Sequence, residues 1–150
     1  MQPVVTVEMM RRIDQAAIQG LGLPGAVLME TAGRAVASAV AEFGMTENCA
    51  RPVVLCGRGN NGGDGFVVAR CLIDSCEPGW PVVFLAGKLE SLAGDAAIMA
   101  RVAAGCGIQV VELEENDLSP LENALNKADL LVDALLGTGA AGAPRSLVGK

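Results

Sequence analysis

Two polar, glycine-rich segments hold most of the residues in this chain that could do chemistry. The first segment runs from Cys56 to Gly65 and places Asn60, Asn61 and Asp64 among five glycines. Amide and carboxylate oxygens on such a segment can coordinate a ligand or a cation, and we expect its glycines to supply positive φ angles and close backbone approach. Backbone N–H groups at the start of a following helix can also face an anion. The alternative is a tight turn in which Asn and Asp only tolerate positive φ.

The second segment begins with Asp133 and continues through the turn Gly137-Thr138-Gly139. Asp133 directly follows an apolar run at 130–132, which places it at the end of a predicted strand. A carboxylate in that position is costly to bury unless it binds a proton, a cation or hydrogen-bond donors. We therefore expect a functional role for Asp133, and the alternative is a carboxylate that caps nearby backbone N–H groups.

The composition excludes several other kinds of site. The chain of 150 residues has no histidine and no tyrosine, which removes the Ser-His-Asp triad and histidine zinc sites. A net charge of −6, from 11 basic and 17 acidic residues, argues against a nucleic acid or a membrane surface as partner. No apolar run approaches the roughly 20 residues that span a bilayer. The five cysteines form no C-x-x-C pair, and we expect free thiols in a cytoplasmic protein.

Two helices are predicted ahead of these segments. Thr6 can cap a first helix that runs towards Gly20, and Pro24 suits the first turn of a second helix that continues through Val40. Gly44 is expected to stop that second helix.

The rest of the chain alternates short apolar runs with helical patterns. Strands are predicted at 52–56, 81–86, 108–113 and 129–135, and helices at 65–75, at 92–104 and from Ser119, as the cap, through Leu125. Because the strands are continuously apolar, we expect a parallel sheet covered by helices on both faces. The sequence thus predicts an α/β fold, a three-layer αβα Rossmann-like domain with a mostly parallel sheet. One domain is expected over residues 1–150, with its last strands missing, because 140–150 has the pattern of a loop-like tail.

The order of the strands decides whether the two segments can act together. Ligands of open α/β sheets bind beyond the carboxyl ends of the strands. If the first and fourth strands are neighbours, as in a 3-2-1-4 order, both segments face one crevice, and Asn61 and Asp133 could share a cation. Oxygen donors with so few carboxylates fit a weakly charged ion such as potassium, although the spacing does not choose potassium over magnesium.

The first segment is a poor ordinary dinucleotide loop. It contains a formal G-x-G-x-x-G match that starts at Gly57, between a predicted strand and a predicted helix. The acidic residue expected after the second strand is missing, because Ala86-Gly87-Lys88 stands there. With no His or Tyr to donate a proton, an NAD-dependent oxidoreductase is disfavoured.

Together, the stretches Gly57-Arg58-Gly59-Asn60-Asn61-Gly62-Gly63-Asp64-Gly65 and Asp133-Ala134-Leu135-Leu136-Gly137-Thr138-Gly139 closely resemble the NAD(P)HX epimerase family, also called the YjeF N-terminal domain. Leu28-Met29-Glu30-Thr31-Ala32-Gly33-Arg34-Ala35 resembles the family's second-helix motif, although the family usually has Asn in place of Thr31. Arg12-Ile13-Asp14 matches the first helix.

The resemblance implies a Rossmann-like αβα fold, often dimeric, that interconverts the R and S epimers at C6 of hydrated NADH or NADPH (NADHX and NADPHX). A partner dehydratase, specific for the S form, then restores the cofactor, and in many bacteria it is fused on the C-terminal side.

The same resemblance implies roles for the residues of both segments. Asn61 and Asp133 would bind one potassium ion (K+) per subunit, and Asp133 is the first and Asp64 the second candidate for the catalytic carboxylate. The substrate would be contacted by Asn60, Asn61, Gly62, Gly63 and Asp64 and, at its phosphate-bearing part, by Gly137, Thr138, Gly139, Ala140, Ala141, Gly142 and Ala143.

The family also continues with a helix and a strand that end in an Asp-x-Pro-Ser-Gly-like motif, which supplies a further substrate-binding Asp and a further potassium ligand. No such motif occurs in this sequence, so we expect the domain to be incomplete on its C-terminal side.

A non-catalytic binding module is the other interpretation of the resemblance. The same fold serves as a scaffold in decapping-associated proteins and as an apolipoprotein-binding protein, and fold alone does not separate these roles. An intact pair of Asn61 and Asp133 favours catalysis, since a scaffold need not keep a cation site. Met9, Met10 and Ile13 are candidates for a homodimer contact.

Overall fold

A four-stranded parallel sheet forms the centre of the domain. The computed structural model describes residues 4–47, 50–140, 142–144 and 146–149. The strands are β1 (Pro52–Cys56), β2 (Val82–Leu85), β3 (Gln109–Glu112) and β4 (Leu130–Ala134). Every pairing is parallel, and the strands lie in the order β3-β2-β1-β4. The condition that the sequence analysis set, a 3-2-1-4 order, is therefore met, and the carboxyl ends of β1 and β4 are neighbours.

Five α-helices accompany the strands in the described part of the chain. They are α1 (Val7–Gln15), α2 (Gly25–Glu47), α3 (Asn60–Leu72), α4 (Gly94–Gly105) and α5 (Ser119–Leu125). A π-helical turn, Ala16–Gly20, extends α1, and short 3₁₀ turns occur at Ile73–Ser75, Leu89–Ser91 and Ser146–Gly149. None of the helices in the described ranges is long and apolar enough to cross a membrane.

The two central strands carry the core on both of their faces. Val54 of β1 belongs to a cluster that packs under α3 and α4, whereas Val53 belongs to a cluster that includes side chains of α5. Both valines are fully buried, as continuous apolar sequence predicts for a covered parallel strand. Edge strand β4 differs, because Leu131 is 51 % exposed and Asp133 is also exposed. The expectation of two covered faces is thus wrong for β4 over the described residues.

Three predicted helix boundaries are wrong, each for a local reason. Gly44 lies inside α2 and has no positive φ, and one helical glycine costs only about 1 kcal/mol relative to alanine, so it does not end the helix. Helix α3 begins at Asn60 rather than at 65. Ser119 is the first residue of α5 and not its cap, because its backbone N–H and its hydroxyl both donate to Asp117 Oδ1.

Candidate active site

The glycines after β1 let the chain fold back tightly on the end of β4. The backbone N–H of Gly57 donates to the carbonyl of Ala134 at 3.0 Å. A Cβ at Gly57 would collide with the carbonyl oxygen of Leu135, and one at Gly62 would collide with the carbonyl oxygen of Gly57. The polar residues that follow β1 therefore lie directly beside the segment that follows β4.

Close packing, and not unusual backbone conformation, explains the glycines of the first segment. None of the five has a positive φ, so that part of the expectation is wrong. A Cβ at Gly65 would lie 2.6 Å from Cys56 Sγ and 2.8 Å from Ala134 Cβ, and one at Gly63 would lie 2.5 Å from Met29 Sδ. The predicted close backbone approach is confirmed, and it allows a regular helix to begin as early as Asn60.

This early start places Asn60, Asn61, Gly62, Gly63 and Asp64 in the first turns of α3 rather than in a loop. The N–H of Gly63 donates to the carbonyl of Gly59 at 3.1 Å, which closes the first helical turn. The N–H groups before it have no helical carbonyl behind them and point out of the helix end. Such groups, with the positive end of the helix dipole, favour a phosphate or another anion.

The second-helix motif, residues 28–35, packs α2 closely against the start of α3. A Cβ at Gly33 would lie 2.5 Å from Val67 Cβ and 2.9 Å from the carbonyl oxygen of Asp64. Glu30 accepts from Arg70 at 2.5 Å, and this ion pair chiefly lowers the pKa of Glu30. The motif therefore fixes the helix that carries the candidate site residues.

Asp133 lies at the carboxyl end of β4, as predicted, but it is exposed rather than buried. Its Oδ1 accepts from the backbone N–H of Leu135 at 2.9 Å. This is the backbone-capping arrangement that the sequence left open as the alternative. Among the described residues no hydrogen bond reaches Oδ2, so one carboxylate oxygen is available for a ligand.

The two segments meet where Asn61 packs against Gly137. A Cβ at Gly137 would lie 3.0 Å from Asn61 Cβ and 3.6 Å from Asn61 Oδ1. Asp133 is in register with Leu55, and its neighbour Ala134 faces α3, so Asp133 points to the other face of the sheet. The structure brings Asn61 to the second segment but shows no direct contact between Asn61 and Asp133.

The rest of the second segment runs over the surface. Ala140 N–H donates to the carbonyl of Gly137 at 3.1 Å and closes a turn around Thr138 and Gly139. Among the described glycines of this segment, Gly142 alone has a positive φ, at 80°. Thr138, Gly139, Ala140, Gly142 and Ala143 are exposed, and Ala141 lies outside the described residues.

The acidity of Asp64 is perturbed by its surroundings. Its side chain is half-buried, and burial raises the pKa of its carboxyl to about 6. The negative charge of Asp14 on α1 raises it further in the same direction. A carboxyl with a pKa near neutrality can both give and take a proton at working pH.

Helix α1 contributes two residues to the site that the sequence analysis did not assign. Arg11 Nη2 donates to the carbonyl oxygen of Thr138, and Asp14 lies close enough to Asp64 to act on its carboxyl. One weak feature of the sequence could have indicated these residues: Arg11 and Asp14 are three positions apart and so share one face of α1.

The two segments offer oxygen donors of the kind that hard cations prefer. Asn61 offers an amide oxygen and Asp133 offers one carboxylate oxygen, both hard ligands. No cluster of three or more His, Cys, Asp or Glu side chains that could hold a metal ion occurs in the described residues. The donor chemistry suits a hard cation, and potassium stays a prediction.

Fold and site together define a Rossmann-like α/β domain in which the start of α3 and the turn after β4 meet at the carboxyl edge of the sheet. The family model of the YjeF-related protein N-terminus matches residues 25–149. The chain therefore belongs to this family.

Three relatives illustrate the similarity. An NAD(P)H-hydrate epimerase of Rhodopirellula baltica is 40% identical over 139 residues, which is 92% of this chain and 53% of that protein. A bifunctional NAD(P)H-hydrate repair enzyme Nnr of Thermanaerovibrio acidaminovorans is 41% identical over 93% of this chain and 26% of its own length. A crystal structure of yeast ynu0 (YNL200c) superposes with a TM-score of 0.79 at 27% identity, over 96% of this chain and 60% of the yeast chain. The chain thus spans about half the length of the epimerase.

Proposed function

We propose that this chain is an NAD(P)H-hydrate epimerase domain that interconverts the R and S epimers at C6 of NADHX and NADPHX. The observation that carries the proposal is the contact of Asn61 with Gly137 beside the half-buried Asp64. This contact joins the two motif segments in a chain that is 40% identical to a protein named NAD(P)H-hydrate epimerase.

The free N–H groups at the start of α3 and the turn after β4 form the proposed substrate cradle. Asn60, Asn61, Gly62, Gly63 and Asp64 would contact the substrate, and the turn from Gly137 to Ala143 would contact its phosphate-bearing part. Helix N-termini and glycine turns suit a dinucleotide because their backbone donors can approach the pyrophosphate closely.

The proposed chemistry breaks and remakes the C–O bond at the hemiaminal carbon. The lone pair of the ring nitrogen pushes out the hydroxyl, which takes a proton and leaves as water. Water then adds to the other face of the resulting cation and releases a proton. Asp64 suits this proton exchange, because a carboxyl with a pKa of about 6 is partly protonated near neutrality. We therefore rank Asp64 ahead of the exposed Asp133 as the carboxyl that transfers the proton.

We propose one potassium ion per subunit, held by Asn61 and by Asp133, whose side chain would turn to the face of the sheet on which α3 lies. When bound, this cation would supply positive charge to steady the anionic part of the substrate. Asp133 would then act as a ligand, with its free Oδ2, rather than as an acid or base.

The proposed setting is the repair of nicotinamide cofactors in the cytoplasm. An S-specific dehydratase would consume the product, and the relatives named bifunctional repair enzymes favour such a partner, fused or separate. A homodimer is proposed because α1 exposes Met9, Met10 and Ile13.

The test starts from purified R-NADPHX and follows formation of the S epimer by chromatography, with and without potassium, against the uncatalysed drift. Acceleration that depends on potassium would establish the proposal. An absence of acceleration in this chain, with acceleration in a chain extended beyond Lys150, would assign the activity to the longer domain. An absence of acceleration in both chains would favour a non-catalytic binding module.

A further inference from the structure

Helix α1 lies near both of the segments that form the candidate site. Arg11 donates from its guanidinium to the carbonyl of Thr138, a contact between residues 127 positions apart. Asp14, one turn further along the same face, raises the pKa of Asp64 through its charge. The hydrogen bond of Arg11 and the nearby charge of Asp14 place α1 beside the start of α3 and the turn after β4.

Little else holds α1 in this position. None of its residues is buried, and its only ion pair in the described ranges, Arg12 with Glu8, lies within the helix itself. The turn it meets is equally exposed, with one internal hydrogen bond from Ala140 to Gly137. The guanidinium of Arg11 is therefore the main polar link between two exposed elements.

We propose that Arg11 is a positioning residue that fixes the turn at Gly137 to Ala140 in the geometry required for substrate binding. The role in substrate binding rests on the proposed function. Because the turn is expected to contact the phosphate-bearing part of the substrate, a loose turn would weaken binding before it affected the chemical step.

The test compares Arg11→Ala, Arg11→Lys and the matched control Arg12→Ala, which removes a neighbouring arginine of the same helix. Hydrogen exchange of the peptide covering 136–140 is measured first, because it requires no activity. Arg11→Ala is expected to speed this exchange several-fold, whereas Arg12→Ala leaves it unchanged. Arg11 is exposed, so thermal melting should show an intact fold in both variants.

Epimerisation of R-NADPHX is measured next. We expect Arg11→Ala to raise KM about tenfold, the loss of roughly one hydrogen bond to a charged group, with little change in kcat. Arg11→Lys should restore part of the affinity, because an ammonium can still donate to the carbonyl of Thr138. Absence of epimerase activity both in the wild-type chain and in a chain extended beyond Lys150 would refute the proposed function, and the exchange data alone would then decide the link from Arg11 to the turn. Equal rates of hydrogen exchange at 136–140 in the Arg11→Ala and Arg12→Ala proteins would overturn the proposal.

Discussion

The surroundings of Asp64 determine the pKa of its carboxyl group. Its carboxyl has a pKa raised to about 6, first by burial and then by the charge of Asp14. A carboxyl whose pKa is higher in the folded than in the unfolded state binds more protons when folded. Its ionisation therefore reduces the free energy of unfolding as the pH rises from about 4 through 6.

The Asp64→Asn variant should accordingly be more stable than the wild type above pH 7, by a few degrees in Tm. Near pH 3.5 the two proteins should melt at the same temperature, because the wild-type carboxyl is then neutral. Thermal melting followed by circular dichroism at both pH values measures the difference. A variant that is less stable than the wild type at high pH would contradict the expected cost of burying the ionised Asp64 carboxylate. The variant should also lose epimerase activity.

Asn61 and Asp133 allow a separate test at the residue scale, directed at the cation. Asp133→Asn keeps the hydrogen bond to Leu135 N–H but removes the charge that we expect to hold potassium. We expect its epimerisation rate to lose most of its dependence on potassium, with a rate about a hundredfold below that of the saturated wild type. Rates measured across a potassium titration, with sodium replacing potassium as control, would reveal a retained dependence if Asp133 is not a ligand.

Individual residues were predictable where sequence context alone determines their position. The polar residues from Asn60 to Asp64 had to follow a strand, and Asp133 had to end one, so both could be placed at the same sheet edge. The acidity of Asp64 and the contact from Arg11 depend on how α1 packs, and no local pattern records that packing. The exposure of Asp133 also follows from β4 being an edge strand in the described structure.

At the scale of elements, the start of α3 is determined by steric fit. Gly62 lies so close to the carbonyl oxygen of Gly57 that a Cβ would collide with it, whereas a Cβ at Gly59 would meet nothing within 4 Å. Both glycines belong to the same segment, and neither has a positive φ. Alanine substitutions at the two positions therefore distinguish the effect of close packing from the effect of lost conformational freedom.

Replacing Gly62 by alanine should lower the free energy of unfolding by about 3 kcal/mol, since backbone must shift to relieve the overlap. The Gly59→Ala variant should cost only about 0.5 kcal/mol, typical of the exchange of glycine for alanine at a helix N-cap. Urea unfolding at one temperature measures both. Similar losses in the two variants would show that Gly62 is not required for packing.

Most of the helices and strands could be predicted from the sequence, but several of their boundaries could not. Four apolar runs predicted four strands, and the observed strands lie within those runs. The early start of α3 was missed because its glycines were expected to adopt unusual φ angles, when they serve close packing. Gly44 was misjudged because a glycine ends a helix only when the chain also leaves the helical conformation.

At the scale of the whole molecule, α1 presents an apolar surface that the described residues do not cover. Val7, Met9, Met10 and Ile13 are each about half exposed, although they lie along a single short helix. Clustered exposed apolar side chains are typical of protein-binding surfaces, and a second copy of the chain is the partner proposed above.

Sedimentation velocity should therefore show a dimer for the wild-type chain at micromolar concentration. The Met10→Glu and Ile13→Glu variants should sediment as monomers, because a charge in the centre of a small apolar interface is costly to desolvate. Val102→Glu provides the matched control, since Val102 has a similar exposed fraction, 43%, on α4. Dimers that persist in both α1 variants but dissociate in the Val102→Glu protein would place the interface on α4. Because Arg11 lies beside this surface, a dimer through α1 would also hold the link to Thr138 in place, so the monomeric variants should show faster hydrogen exchange at 136–140.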